Sequence, residues 1–425
     1  DVSSFKLDFI QKYLDGVMSD VTGDASGKLR IFGSLKKILM EGDIMVNNGK
    51  LKVDFLNTAY HFSDTVKVRE DKFAFEDIDV RDAENHSALL NGEIHHDYYK
   101  NIVYNISIMP RNVLAMDLKA SDGQNFYGKA YATGNVRIFG YPGAVNFTIQ
   151  ARTEPNTKVF LSLDNGSTVT VNNFITYVDR DAVVDSVAES DEYLEPKKTE
   201  THMKVSLTVE ATPDAEVNIL TSAEGDMLKA TGTGNIRMEY DSKSDLQLFG
   251  NYEVEKGSYI FTLQNIIRKD FTLRNGGTIK WSGDPREGII NLDALYYVQA
   301  ASLLDILDEA DLEGLGRTTV PVNCLLNLTG NLMQPNIKFD LELPSDNELQ
   351  RKVKNIVNTD EMMNREILSL LVIGAFYRPE YIQNSSSTNV GNQMASVLTS
   401  TVSGQLNNML SQISDKFNVG VNAVL

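Results

Sequence analysis

Apolar and polar residues alternate with a period of two through much of the chain. Phe73-Ala74-Phe75, Phe147-Thr148-Ile149-Gln150-Ala151 and Met203-Lys204-Val205-Ser206-Leu207-Thr208-Val209-Glu210 set apolar side chains to one side and mostly polar ones to the other. Successive side chains of a strand point to opposite faces, so each segment predicts a strand with one dry and one wet face. The pattern returns in Phe271-Thr272-Leu273-Arg274, Ile279-Lys280-Trp281, Val320 to Leu328 and Ile337 to Leu343. Half-buried antiparallel sheet suits this alternation, whereas a doubly wound α/β protein would show continuous apolar strands between regular helices. Asn47-Asn48-Gly49, Asn91-Gly92, Asn165-Gly166, Asn275-Gly276-Gly277 and Gly283-Asp284-Pro285 punctuate the strands and predict tight turns, since Asn and Gly tolerate positive φ.

An internal repeat organises part of this pattern. Lys129-Ala130-Tyr131-Ala132-Thr133-Gly134-Asn135-Val136-Arg137-Ile138 returns without a gap as Lys229-Ala230-Thr231-Gly232-Thr233-Gly234-Asn235-Ile236-Arg237-Met238. Shorter echoes are Leu29 to Gly33, Leu90-Asn91-Gly92, Leu248-Phe249-Gly250 and Leu328 to Asn331. Repeated strand, glycine, strand units of this kind cover one another's apolar edges by stacking.

Past Pro344 the period changes. Leu349, Val353, Ile356, Val357, Met363, Ile367, Leu370 and Leu371 recur at helical spacing, with Ser345 or Asp346 as cap and an end near Gly374. A weaker helical pattern runs from about Asn392 to Ile413. The two amphipathic stretches can seal the dry end of the sheet, contact a partner or lie at a membrane surface; their faces lack the cationic bias of an interfacial anchor, and sealing is the first expectation. Asp181 to Thr201 breaks the alternation with an Asp-, Glu- and Lys-rich run, expected to be a surface loop. The expected organisation is residues 1–180 and 202–344 as two parts of an elongated β-groove, 181–201 as an acidic loop, and 345–425 as a helical C-terminal segment.

Charge and chemistry narrow the function by exclusion. With 58 acidic against 40 basic residues among 425 the formal charge is −18, which argues against a general nucleic-acid surface. Cys324 is the single cysteine, in an alternating strand pattern that marks a buried structural thiol. No run of eighteen apolar residues occurs, and the first residues do not read as a signal peptide. The chain as given therefore reads as soluble or peripheral, with any targeting or anchoring segment outside it. His95-His96-Asp97 does not predict a metal site, because adjacent strand residues point apart and no spaced ligand completes a shell. Asp179-Arg180-Asp181 reads as a solvated turn. No nucleophile–base set, nucleotide loop, metal shell or cofactor motif is found, so no catalytic residue and no cofactor are assigned.

The sheet itself suggests another kind of function. A dry face left uncovered is a trough for hydrocarbon, whose burial stabilises by about 0.8 kcal/mol per methylene. An unpaired edge offers a second use, since an incoming strand satisfies its backbone groups.

Gly250-Asn251-Tyr252-Glu253-Val254-Glu255-Lys256-Gly257-Ser258-Tyr259-Ile260-Phe261, then Phe271 to Pro285 and Leu292-Asp293-Ala294, resemble the C-terminal domain of the translocation and assembly module subunit TamB, an AsmA-like family. Asn364-Arg365-Glu366-Ile367-Leu368-Ser369-Leu370-Leu371 resembles its later part, and the likeness covers about residues 210–415. The acidic, Asn-rich character looks more like a Bacteroidota member than an enterobacterial one. The resemblance implies a Gram-negative periplasmic β-structure, curved as a taco or half-pipe, anchored in the inner membrane by a segment not in this chain. It also implies phospholipid or another acyl-chain ligand, and an outer-membrane barrel of the TamA or BamA kind as partner. Tyr259, Phe261, Leu263, Phe271, Leu273, Ile279, Trp281, Leu292, Ala294 and Tyr296 carry over as the apolar strand face of the groove, beside the amphipathic-helix residues Leu349, Val353, Ile356, Met363, Ile367 and Leu370. The first expectation is a non-enzymatic module that shields acyl chains during transport to the outer membrane. The rival is a chaperone-like module that assists barrel assembly or protein secretion through strand-edge pairing.

Overall fold

The computed structural model describes residues 2–8, 11, 18–34, 37–120, 126–163, 202–221, 226–263, 267–307, 318–344 and 347–377. The acidic segment 181–201, the Asp179 to Asp181 turn, the Ser345 and Asp346 cap and the 392–413 stretch lie outside these residues. Contacts divide the chain into one unit of Asp1–Ala223, Lys229–Glu255 and Thr278–Gly288, and another of Glu224–Leu228, Lys256–Gly277 and Ile289–Leu425.

The first unit is a run of strands in which sequence neighbours mostly pair antiparallel. It begins with β1 (Val2–Lys6), β2 (Met18–Ser34), β3 (Lys37–Val53), β4 (Thr58–Val68), β5 (Lys72–Asp82), β6 (Ser87–Asp97) and β7 (Lys100–Pro110). The short β8 (Val113–Leu118) and β7 both pair with the long β9 (Phe126–Tyr141), which also pairs with β10 (Ala144–Thr153) and β11 (Lys158–Ser162). Here the expectation of a wholly antiparallel sheet fails. Strands β12 (His202–Ala211) and β13 (Glu216–Leu220) lie parallel to β10 and β11, with Phe147 opposite Val205 and Leu161 opposite Ile219. A parallel pair needs a long crossover, and residues 163–201 supply the chain length for one. Strand β14 (Met227–Asp241) then pairs antiparallel with β12.

The repeat falls on β9 and β14. In each, the shared glycine sits where a side chain would meet the neighbouring backbone. A Cβ at Gly134 would lie 2.0 Å from the Gln150 carbonyl oxygen, and one at Gly234 2.5 Å from that of Asn251. Absence of a side chain is thus what the repeat preserves at these two positions.

Turn signals divide into two kinds. Asn275-Gly276-Gly277 and Gly283-Asp284-Pro285 lie at strand ends, the first with Gly276 at φ +90° and the second with the Asp284 side chain accepting from the Arg286 N–H. Asn47-Asn48-Gly49 instead lies inside β3 as a bulge against β4, with Asn48 at φ +51°, and Asn91-Gly92 lies inside β6. There Asn91 Oδ1 accepts from the backbone N–H of Asp77, itself at φ +51° beside a register shift in β5. Asn-Gly specifies a local positive φ, which a bulge uses as well as a hairpin does.

The second unit joins the later part of β15 (Ser244–Leu263) to β16 (Ile267–Leu273), β18 (Ile289–Ser302), β19 (Thr319–Asn331) and β20 (Pro335–Glu342), while most of β17 (Gly277–Gly283) belongs to the first unit. The helical pattern gives two helices instead of one, α1 (Asn347–Ile356) and α2 (Asp360–Ile373). The chain breaks at Val357 to Thr359, where Thr359 takes an extended conformation and its side chain accepts from the Met362 N–H. A Thr N-cap starts a new helix because it satisfies a free N–H. Gly374, in the left-handed region, ends α2 where the spacing placed the end.

Candidate functional site: an apolar sheet face

In the second unit the apolar face is covered. Helix α2 packs on β16, β18, β19 and β20, and Lys354 of α1 pairs with Asp340 of β20 at 2.8 Å. Beneath them, Leu273 pairs with Ala294, Ala294 with Leu326 and Leu326 with Phe339, all buried. Phe261 meets Phe271 and Phe339 edge-to-face, with centroids 6.1 and 6.0 Å apart. Cys324 is fully buried and its thiol is pushed up to about 12 by desolvation, which leaves it inert.

Most of the groove candidates fall inside packed cores. Tyr259, Phe261, Phe271, Leu273, Leu292 and Ala294 are buried in the second unit, and Ile279 and Trp281 in the first, where Trp281 Nε1 donates to the Pro285 carbonyl at 3.1 Å. Tyr296 is half-buried beneath the Lys269 ammonium. The Leu263 side chain lies outside the described residues. Of the helix candidates, Leu349, Val353, Met363, Ile367 and Leu370 are buried, whereas Ile356 is 38% exposed.

The first unit presents a different face. Its registers align one apolar residue per strand into rows. Phe75 stands opposite Gly92, then Ile106, Ile138, Phe147, Val205 and Tyr240 follow across the sheet. The next row runs Ile78, Leu90, Ile108, Val136, Ile149, Leu207 and Met238. Apart from buried Ile78, these side chains are half-buried, and neither α1 nor α2 belongs to this unit. In a third row the Tyr104 ring fills the space over Gly140, where a Cβ would come within 2.1 Å of it. Seven strands at about 4.8 Å make each seven-strand row about 29 Å long.

The opposite face of these strands is wet. Arg137, Thr148, Ser206 and Arg237 are exposed on it, and ion pairs such as Lys72–Glu93 at 2.7 Å and Arg237–Glu239 at 2.9 Å decorate it. A shallow hollow of 440 Å³ there has a mixed lining, with Ala211 and Pro213 beside Glu210, Thr212, Thr233, Asn235, Asn251 and Glu253. His95 and His96 diverge as strand neighbours must: His95 bonds Glu93 at 2.9 Å, while His96 is buried against Phe73. Among the described residues no cluster of His, Cys, Asp or Glu has the arrangement of a metal site.

One end of the apolar face is closed by β8, whose Val113, Leu114, Met116 and Leu118 are buried. A buried carboxylate fastens this end. Asp82, 1% exposed, accepts from the backbone N–H groups of Leu114, Glu84 and His86 and bonds the His86 ring at 3.0 Å. Burial alone would raise its pKa, but these hydrogen bonds outweigh that and hold the carboxyl below its ordinary value. Beside it Tyr131 donates to Glu84 at 2.8 Å, its hydroxyl pushed up to about 12 by burial and the neighbouring carboxylate. None of these groups lies against another in a nucleophile–base arrangement, and the Leu114 N–H bond to Asp82 ties β8 to the end of β5.

The groove residues carried over from the resemblance lie on β15 to β18, whereas alternation in the sequence marks the dry faces of β5, β10 and β12. Their alternation was the available signal; the rows that join them depend on register between strands far apart in the chain.

The family model of the TamB C-terminal domain matches residues 76–424. No curated protein matches the chain.

Proposed function

The chain belongs to the TamB C-terminal domain family, and from that premise we propose that the apolar face of its first unit shields lipid acyl chains on their way to the outer membrane. As a member of this family it is a non-enzymatic module of the envelope. The reading rests chiefly on one observation: consecutive apolar rows cross seven strands, half-buried, backed by an exposed polar face. An acyl chain in one leaflet is about 15 Å long, so a row offers more than one chain length of continuous apolar contact. At about 0.8 kcal/mol per methylene such contact retains a lipid without any single essential residue. The lipid would move along the face by exchanging equivalent contacts, and no bond is made or broken. The proposed setting is the periplasm of a Gram-negative cell, with an inner-membrane anchor outside this chain and a TamA- or BamA-type barrel as the outer-membrane partner.

The test is native mass spectrometry of gently purified protein, repeated on Ile106→Asp/Ile138→Asp/Phe147→Asp with folding checked by circular dichroism. Phospholipid carried by the parent and absent from the folded variant is the expected result. A lipid-free parent, under conditions where a known carrier keeps its lipid, overturns the proposal.

A further inference from the structure

The β2–β3 hairpin protrudes from the first unit's sheet. Strand β1 pairs with β2 no further than Gly27, and β4 pairs with β3 no further than Gly42, yet β2 and β3 continue together to Ser34 opposite Lys37. Among the described residues, five residue pairs beyond Gly42 thus form a two-stranded ribbon to which no further strand pairs, about 17 Å long at about 3.4 Å per residue. Such a ribbon is marginal in water by itself. Its base is held by Arg69, which donates to the Gly42 carbonyl and the Asp43 carboxylate, both at 3.1 Å, and its far end touches the rest of the unit where Lys37 lies over the Tyr98 ring at 4.7 Å.

The composition of this ribbon differs from that of the whole protein. From Lys28 to Met40 there are four cations, Lys28, Arg30, Lys36 and Lys37, and no acid, in a chain whose formal charge is −18. One face continues the apolar face of the unit outward through Leu29, Ile31, Ile38 and Met40, with Leu29 and Gly42 leading to Val68 and Phe73 of the sheet. Ile31 is 66% exposed and Ile38 45%. Arg30 and Lys37 stand on the other face with Phe32 and Leu39, and Glu41 and Asp43 enter only at the base. Exposed aliphatic residues cost free energy in water, and clustered cations are attracted to anionic headgroups, so the two features together fit one partner.

We propose that the β2–β3 hairpin seats its apolar face in the surface of a bilayer containing anionic lipid. The hairpin would then act as a ramp between that surface and the apolar rows behind it. Membrane seating does not depend on whether those rows carry lipid.

The experiment uses the full chain with an environment-sensitive fluorophore on Ile31→Cys, since the native Cys324 is fully buried and protected from labelling. A matched label on Thr148→Cys, on the wet face, is the control. Phosphatidylcholine vesicles containing phosphatidylglycerol should blue-shift the label at position 31 and leave that at 148 unmoved, while vesicles of phosphatidylcholine alone shift neither. Arg30→Glu/Lys37→Glu, folded by circular dichroism, should weaken co-sedimentation with the anionic vesicles by about tenfold or more. Vesicle binding with no change at position 31, or undiminished by the charge reversals, overturns the proposal. A shift at position 31 that grows with protein concentration without vesicles assigns the hairpin to a second copy instead and also overturns it.

Discussion

The two units solve the same problem differently. Both present a sheet with an apolar face, but the second places α1 and α2 over it, so that Phe271, Leu326 and Leu341 are essentially inaccessible. The first leaves Ile106, Ile138 and Phe147 half-buried, and α1 and α2 lie in the other unit. Alternation in a strand therefore specifies that one side is dry without saying what keeps it dry. In one unit that is a helical layer; in the other, on the reading proposed here, it is a ligand.

The sharpest way to break this comparison is to truncate an equivalent aromatic in each unit. Phe271→Ala should cost about 3–5 kcal/mol, because it removes a fully enclosed ring and leaves a cavity. Phe147→Ala should cost about 1–2 kcal/mol, since a half-buried ring loses less area and the site stays open to solvent. Denaturant titration of each variant in lipid-free protein measures both, and equal losses would mean that the two faces are equally enclosed.

A smaller effect is expected at the closed end of the first unit. Asp82→Asn should destabilise by about 2 kcal/mol, because an amide replaces a carboxylate that accepts three backbone N–H groups. The sign of the pH dependence follows from its lowered pKa. The carboxylate's contribution is present above the unfolded value of about 3.9 and is lost as pH falls through the lower folded value. Acid titration of the melting temperature should show this loss in the parent and a flatter curve in Asp82→Asn.

The smallest effect sharpens the contrast from the other side. Glu366 is buried on α2, its Oε2 accepting from the Tyr377 N–H at 2.7 Å, and desolvation raises its pKa. Its sign is opposite to that of Asp82. The second unit's stability is fullest below the unfolded Glu value and declines as pH rises through the raised folded one. Glu366→Gln keeps an acceptor without the charge and should stabilise by about 1 kcal/mol at neutral pH, with no gain in acid. Thermal melts at two pH values check this, and a destabilised variant at neutral pH would show that the carboxylate is needed in its charged form.

Particular residues show how far the sequence could be read. The alternation at Met203 to Glu210 became β12 with its apolar side as drawn, and Gly374 ended the second helix. The break before Asp360 is not legible in the sequence because the apolar spacing continues through Val357, while Thr359 acts by capping, which adds no apolar position. Asn91-Gly92 signalled positive φ correctly, but whether such a step turns the chain or bulges it depends on the strand opposite. Of the site, Phe75, Phe147 and Val205 were each legible as dry-face residues. Their membership of one row was not.

What the sequence determined by itself was local and periodic: mainly β structure, a dry and a wet side to each strand, a buried Cys324, helices near the C-terminus, and family membership through a motif-bearing stretch. The parallel seam of β10 with β12, the rows across seven strands, the helical cover on one apolar face and the protruding cationic hairpin were decided only by tertiary structure. The physical reason is that side-chain direction follows from backbone geometry over a few residues, whereas register, coverage and exposure arise between segments up to a hundred or more residues apart, whose pairing no local period encodes.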